Sequence, residues 1–167
     1  MKIFLIFFFL YINKILSDKS NKIFKYAISK IGCGYIWGGS GQILTEDMLK
    51  LFKNKYPSFI NENKDKKWIG KQVFDCSGFV KSAFEEINIH IYHEANSAWE
   101  NTNWSIKGKI EDLPKDKICI LFKKGSKGMI HTGIYLGNGE VINAQDNKHG
   151  VVKGKLGTLW THFGIPE

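Results

Sequence analysis

Gly137-Asn138-Gly139 lies between two runs of β-forming residues, His131–Leu136 and Glu140–Ala144, and dictates an antiparallel hairpin. With all three residues in the loop, Leu136 faces Glu140, Tyr135 faces Val141 and Gly133 faces Asn143. Side chains alternate along a strand, so His131, Gly133 and Tyr135 then share a face with Val141, Asn143 and Gln145. Asn143 falls diagonally opposite His131, across a glycine that leaves room for both side chains. A two-residue loop through Asn138-Gly139 would slip the register by one and turn Asn143 to the other face.

The rest of the chain divides into helices first and strands afterwards. Asn21–Lys30 carries Ile23, Phe24, Ala27 and Ile28 on one helical stripe, continued by Ile31, and Gly32-Cys33-Gly34 ends it. Thr45 is placed to cap a helix over Glu46–Lys53, with Pro57 beyond. Asn61–Lys67 is dense in charge and is expected to be a surface loop. From Asp75 or Cys76, Phe79, Val80, Ala83, Phe84 and Ile87 recur at helical spacing, the mark of a buried amphipathic helix. Ile118–Phe122 begins the β-rich part, and Val151-Val152 and Thr158–Phe163 are expected to add edge strands. This order, without β-α-β alternation, predicts a single α+β domain with an antiparallel sheet.

The first residues have a different character. Met1-Lys2 precedes ten apolar or aromatic residues, Ile3–Ile12, before Asn13 and Lys14 interrupt. A bilayer crossing needs about 20 apolar residues. The stretch has the length of a secretory signal, with Ser17 a small residue before a cut. Residues 1–17 are therefore expected to be a signal peptide and 18–167 a secreted, soluble domain, with an uncleaved anchor as the alternative. The chain has 24 basic against 16 acidic residues, and all the basic ones are lysine. Arginine supplies the planar fork that nucleic-acid readers use, so its absence argues against a nucleic-acid partner. A scattered lysine surface suits polyanions in general, an anionic cell wall among them.

Cys33, Cys76 and Cys119 make an odd count, so an exported chain keeps at least one free thiol. No two stand at metal-ligand spacing, and His90, His93 and His162 read as surface or packing residues, so neither metal nor cofactor is expected. Cys76 is set apart by its place at the start of the buried helix, in Asp75-Cys76-Ser77-Gly78. Unpaired N–H groups and the positive end of the helix dipole favour a thiolate there, and Gly78 would leave the first turn open to a substrate. A base to activate the thiol needs a third group to orient its ring. His131 and Asn143 match those roles in the three-residue register, with His149 the alternative orienter.

Tyr35-x-Trp37-Gly38-Gly39, Asp75-Cys76-Ser77-Gly78-Phe79-Val80 and His131-x-Gly133-Ile134-Tyr135-Leu136-Gly137 together resemble the NlpC family of cell-wall cysteine peptidases. The likeness runs from about Ile23 to Ala144. It implies a compact papain-like fold, Cys76 as nucleophile, His131 as base and Asn143 in the third position, where the family more often has histidine. Tyr35, Asp75 and Ser77 become the oxyanion and substrate-binding candidates, Tyr35 with the backbone N–H of Cys76 and Asp75 toward a substrate amine. The implied activity is thiol hydrolysis of peptidoglycan stem peptides at the bond between D-glutamate and the diamino acid, by a monomer. An amidase cutting muramic acid from L-alanine, an acyl transferase and an inactive wall-binding domain are the alternatives. Ser40–Phe74 is longer than the family's usual link, and its Tyr56, Phe59 and Trp68 either wall the groove or cover a core edge.

Overall fold

A computed structural model describes residues 17–167; the apolar run Ile3–Ile12 lies outside the described residues. Among the described residues helix α1 covers 17–29, more than the apolar stripe alone predicts, and buries Ile23 and Ala27. A small sheet follows, made of β1 (Gly34–Tyr35), β2 (Ser40–Ile43) and β3 (Gln72–Phe74). Its β1–β3 pairing is parallel and its β2–β3 pairing antiparallel. Helix α2 (Glu46–Lys55) and the short α3 (Glu62–Asp65) lie between β2 and β3. Helices α4 (Cys76–Glu85) and α5 (Ala95–Asn101) complete the helical part.

The main sheet holds β4 (Trp104–Lys109), β5 (Cys119–Gly125), β6 (Gly128–Tyr135), β7 (Glu140–Asp146), β8 (Gly150–Lys155) and β9 (His162–Pro166). Their order is β4-β9-β5-β6-β7-β8, every neighbour antiparallel. The expected α+β class therefore holds. The β6–β7 register is that of the three-residue loop: Tyr135 pairs with Val141, and Leu136 N–H donates to Glu140 O at 2.9 Å. Two expectations change. The strand expected at Thr158–Phe163 starts at His162 and lies inside the sheet between β4 and β5, so β4 takes the edge. The charged stretch expected as a loop instead forms α3 and a 3-10 turn, because Asn61 Oδ1 caps the Lys64 N–H and Asp65 is buried.

Alternation along the strands splits the apolar residues between two faces. Ile120, Phe122, Ile134 and Ile142 pack with Phe79, Val80, Ala83 and Phe84 of α4, and with α1 and α5, in the larger core. Cys119, Leu121, Tyr135, Val141, Trp160 and Phe163 form a second core on the other face. Fully burying such side chains contributes about 1.5–3 kcal/mol each, which is why α4 has no freedom to slide. Trp68 is buried in a third cluster with Ile36, Leu44, Leu49 and Val73. Its indole N–H donates to Asn147 O, and Asn147 Nδ2 bonds to Asp65, joining the long β2–β3 connection to the β7–β8 turn. Among the described residues all three cysteines are unbridged, and no helix is long and apolar enough to cross a membrane.

Gly78 serves packing and not substrate access. A Cβ there would drive into the Gly39 carbonyl oxygen, which also accepts from the Asp75 N–H at 2.9 Å. Two backbones meet where a side chain has no space. Gly78→Ala should cost about 1–3 kcal/mol through overpacking against an immovable backbone, read as a melting temperature several degrees lower. An unchanged melt would show that this close approach is not needed.

Candidate active site

Cys76 opens α4, and the N-cap Asp75 fixes where the helix begins. Asp75 Oδ1 accepts from the Gly78 N–H at 2.6 Å and from Ser77 Oγ at 3.0 Å. Oδ2 accepts from the Gly38 N–H at 2.9 Å and from His93 Nε2 at 2.8 Å. Asp75 is 7% exposed, and these four donors use all the lone-pair directions of its carboxylate. Parallel pairing of Tyr35 with Phe74 carries Tyr35 to the start of the same helix.

Strand β6 crosses this helix terminus, with the Thr132 N–H against the Cys76 thiol. His131, the preceding residue, donates Nε2–H to Asn143 Oδ1 at 3.0 Å. This sets the neutral ring to the tautomer whose lone pair is on Nδ1, the nitrogen free to take a proton. The indole of Trp160 lies almost parallel to the imidazole, 5.5 Å between centroids and 20° between planes. Gly133 makes this arrangement possible. A Cβ there would stand 2.8 Å from Asn143 Cβ and 2.9 Å from Trp160 Cη2. His149 instead bonds Asp146 at 2.8 Å.

Burial and the neighbouring Asp75 carboxylate push the Cys76 thiol up to about 12, outweighing the N–H groups of Thr132, Ser77 and Cys76 that pull it down. Burial also takes His131 below the ordinary histidine range, against the opposing effect of Asn143. Both shifts favour a neutral thiol beside a neutral imidazole at rest, against the pull of the helix terminus toward a thiolate. Burial, helped by the nearby Cys76 and Asp75, raises the Tyr35 phenol, which keeps its proton and remains a donor.

The site opens into a cleft of about 480 Å³ whose lining includes Tyr35, Trp37, Tyr56, Asp75, Cys76, Ser77, His93, Glu94, Met129 and Ile130. Of the aromatic residues in the long connection, Tyr56 reaches the cleft, Phe59 stacks on Trp37 at 4.1 Å, and Trp68 covers the core edge. His93 and Glu94 were not anticipated as site residues. Glu94 has φ +86, a left-handed conformation costing about 1–2 kcal/mol for a side chain of its kind. It is held there because its N–H donates to Ser77 Oγ at 2.9 Å and its carboxylate caps α5. His90 packs edge-on against Tyr92, and His162 against Trp99, as packing residues do. Among the described residues no group of three or more His, Cys, Asp or Glu could hold a metal ion.

The sequence matches the NlpC/P60 family over residues 32–162. The Listeria grayi protein named "Probable endopeptidase p60" is 37% identical over 78 residues, 47% of this chain and 14% of that protein. The peptidoglycan endopeptidase RipA of Mycobacterium tuberculosis is 28% identical over 127 residues, 76% of this chain and 22% of RipA. The chain thus spans between a seventh and a quarter of the length of these relatives. The solved NlpC/p60 domain of the peptidoglycan hydrolase SagA shares the fold, with a TM-score of 0.58 at 21% identity over 89% of this chain and 98% of that one. A family match over residues 32–162, most of the sequence, establishes that this chain belongs to the NlpC/P60 family.

Proposed function

We propose that the protein is a peptidoglycan hydrolase, a thiol endopeptidase that cuts stem peptides of the bacterial cell wall at the bond between D-glutamate and the diamino acid. The observation that carries this reading is the His131–Asn143 hydrogen bond on the strand that crosses the Cys76 helix terminus. As Cys76 Sγ attacks the carbonyl carbon, its proton passes to His131 Nδ1. The carbonyl oxygen becomes an oxyanion and accepts from the Tyr35 hydroxyl and the Cys76 N–H. The imidazolium, steadied by Asn143 and covered by Trp160, then protonates the leaving amine as the C–N bond breaks. Water, deprotonated by the same His131, hydrolyses the thioester and regenerates the thiol. Asp75 and Ser77 hold the helix terminus and the two loops beside it in register. The alternative cut is the amide between muramic acid and L-alanine, since the same groups act on either bond. Such a substrate lies outside the cytoplasm, and residues 1–17 fit the role of an export signal.

Mass spectrometry of muropeptides released from purified wall identifies the bond, because the two cuts leave fragments of different mass. Cys76→Ala should release none while keeping the melting profile, and Cys33→Ala and Cys119→Ala should keep most activity. Wall binding without any release by the unaltered protein would make it a non-catalytic binding domain. Asn143→Ala should lower turnover about 10- to 100-fold, less than the roughly 10²- to 10⁴-fold of acid–base assistance as a whole because the base itself remains, and Asn143→His should recover much of it. A fully active Asn143→Ala beside a crippled His149→Ala would give the orienting role to His149.

The pH dependence follows from the two shifts. The base must be unprotonated, and its proton affinity is lowered, so kcat/KM, which reports the free enzyme, should rise with pH through an ionisation below 6.5. With the thiol near 12, the rate should then stay level through neutral pH, with no thiol-controlled alkaline limb below about pH 10. A bell with both limbs below pH 8 would contradict the neutral pair. Export is checked by N-terminal sequencing: secreted material should begin near Asp18, and intact Met1 in a membrane pellet would mean an anchor.

A further inference from the structure

His93 faces the cleft beside Cys76 and takes no part in the bond-breaking steps. Its Nε2–H is committed to Asp75 Oδ2 at 2.8 Å, yet its side chain remains 35% exposed, and the ring lines the same cavity as Cys76 and Tyr35. Nδ1 has no hydrogen-bond partner among the described residues. Asp75, by contrast, has no lone pair to offer: Gly38, Ser77, Gly78 and His93 take all four. A substrate ammonium arriving here would have to displace one of them. The group presented to a ligand at this point is therefore the histidine.

We propose that His93 is a substrate-binding residue that donates Nδ1–H to a carboxylate of the peptide, so that the cleft distinguishes acidic stem peptides from their carboxamide counterparts. The inference deepens the stem-peptide reading and rests on it, because a glutamate joined through its side chain keeps a free α-carboxylate. The contact requires the imidazolium, since the neutral ring with its proton on Nε2 turns a lone pair toward the ligand. The hydrogen bond that His93 donates to Asp75 raises its proton affinity above the ordinary histidine range, against burial and the charges of Lys81 on α4 and Lys55 on α2. Glu94, next in the chain, is the remaining charged group nearby, and its carboxylate is engaged by the Asn96 and Ser97 N–H groups. The sign follows. A raised affinity keeps the second N–H in place at pH values where an ordinary histidine has begun to lose it, and it is lost as pH rises through the shifted value.

Calorimetric binding to the Cys76→Ala protein tests this without turnover, using L-Ala-γ-D-Glu-diamino acid peptide and the same peptide with the α-carboxamide. The acid form should bind about tenfold more tightly at pH 6, the scale of one hydrogen bond between charged groups, and the ratio should approach one by pH 9. Adding His93→Asn should bring the ratio near one at every pH. His93→Arg, which keeps a cation next to Asp75 even if the asparagine variant folds poorly, should hold the preference without pH dependence. Equal binding of the two peptides at pH 6, binding of neither, or a preference that survives His93→Asn would overturn the proposal. Cleavage of the same peptides by the unaltered protein reports separately on the bond: its absence, beside the expected binding ratios, would fault the assigned bond and leave the role of His93 standing.

Discussion

Everything around the cleft depends on one buried carboxylate. Asp75 caps α4, secures the Gly38 turn that follows Tyr35, and anchors His93 on the approach to α5. Three segments that are distant in sequence are thereby fixed within hydrogen-bond reach of one side chain. Losing the carboxylate would leave several buried donors unpaired at once, each costing about 1–3 kcal/mol. The same charge opposes ionisation of the neighbouring thiol. The group that builds the site thus works against a resting thiolate, which places the burden of activation on His131 and on the contact that orients it.

Some of this was readable from residue order alone. Gly137-Asn138-Gly139 set the β6–β7 register because a turn of that length has few geometries, and from it followed the diagonal placement of Asn143 and His131. Thr45 marked α2 because its side chain meets the Met48 N–H locally. Strand β4 was not foreseen: Trp104–Lys109 is mostly exposed and lysine-bearing, and it is a strand only because β9 pairs with it. Asp65 looked like surface charge, and its burial depends on Asn147, 82 residues away. His93 sits in no motif. Its partner is the α4 cap, 18 residues earlier, and the cue beside it, the positive φ of Glu94, belongs to backbone geometry that composition does not reveal.

The long connection between β2 and β3 is divided in its use. Trp68 and Asp65 turn inward and fasten it to the β7–β8 turn, whereas Tyr56 faces the cleft and Phe59 lies flat on Trp37 at its rim. One segment therefore both closes the edge of the core and extends the aromatic wall of the cavity. Changes to its inward residues should be felt as stability, and changes to its outward residues as recognition.

The place of β9 between β4 and β5 has a consequence for the order in which the molecule is made. Strands β5 to β8 follow one another and pair as neighbours, so they are free to zip as they emerge. The sheet nevertheless stays open along β5 until residues 162–166 arrive, and β4 waits unpaired for the same segment. Trp160, which covers the His131 ring, is delivered by the approach to that last strand. Distant pairings of this kind form late. A growing chain would thus carry its nucleophile, base and orienting amide while still lacking the indole that covers the base, and the arrival of β9 would act as the latch that completes an already assembled set of groups.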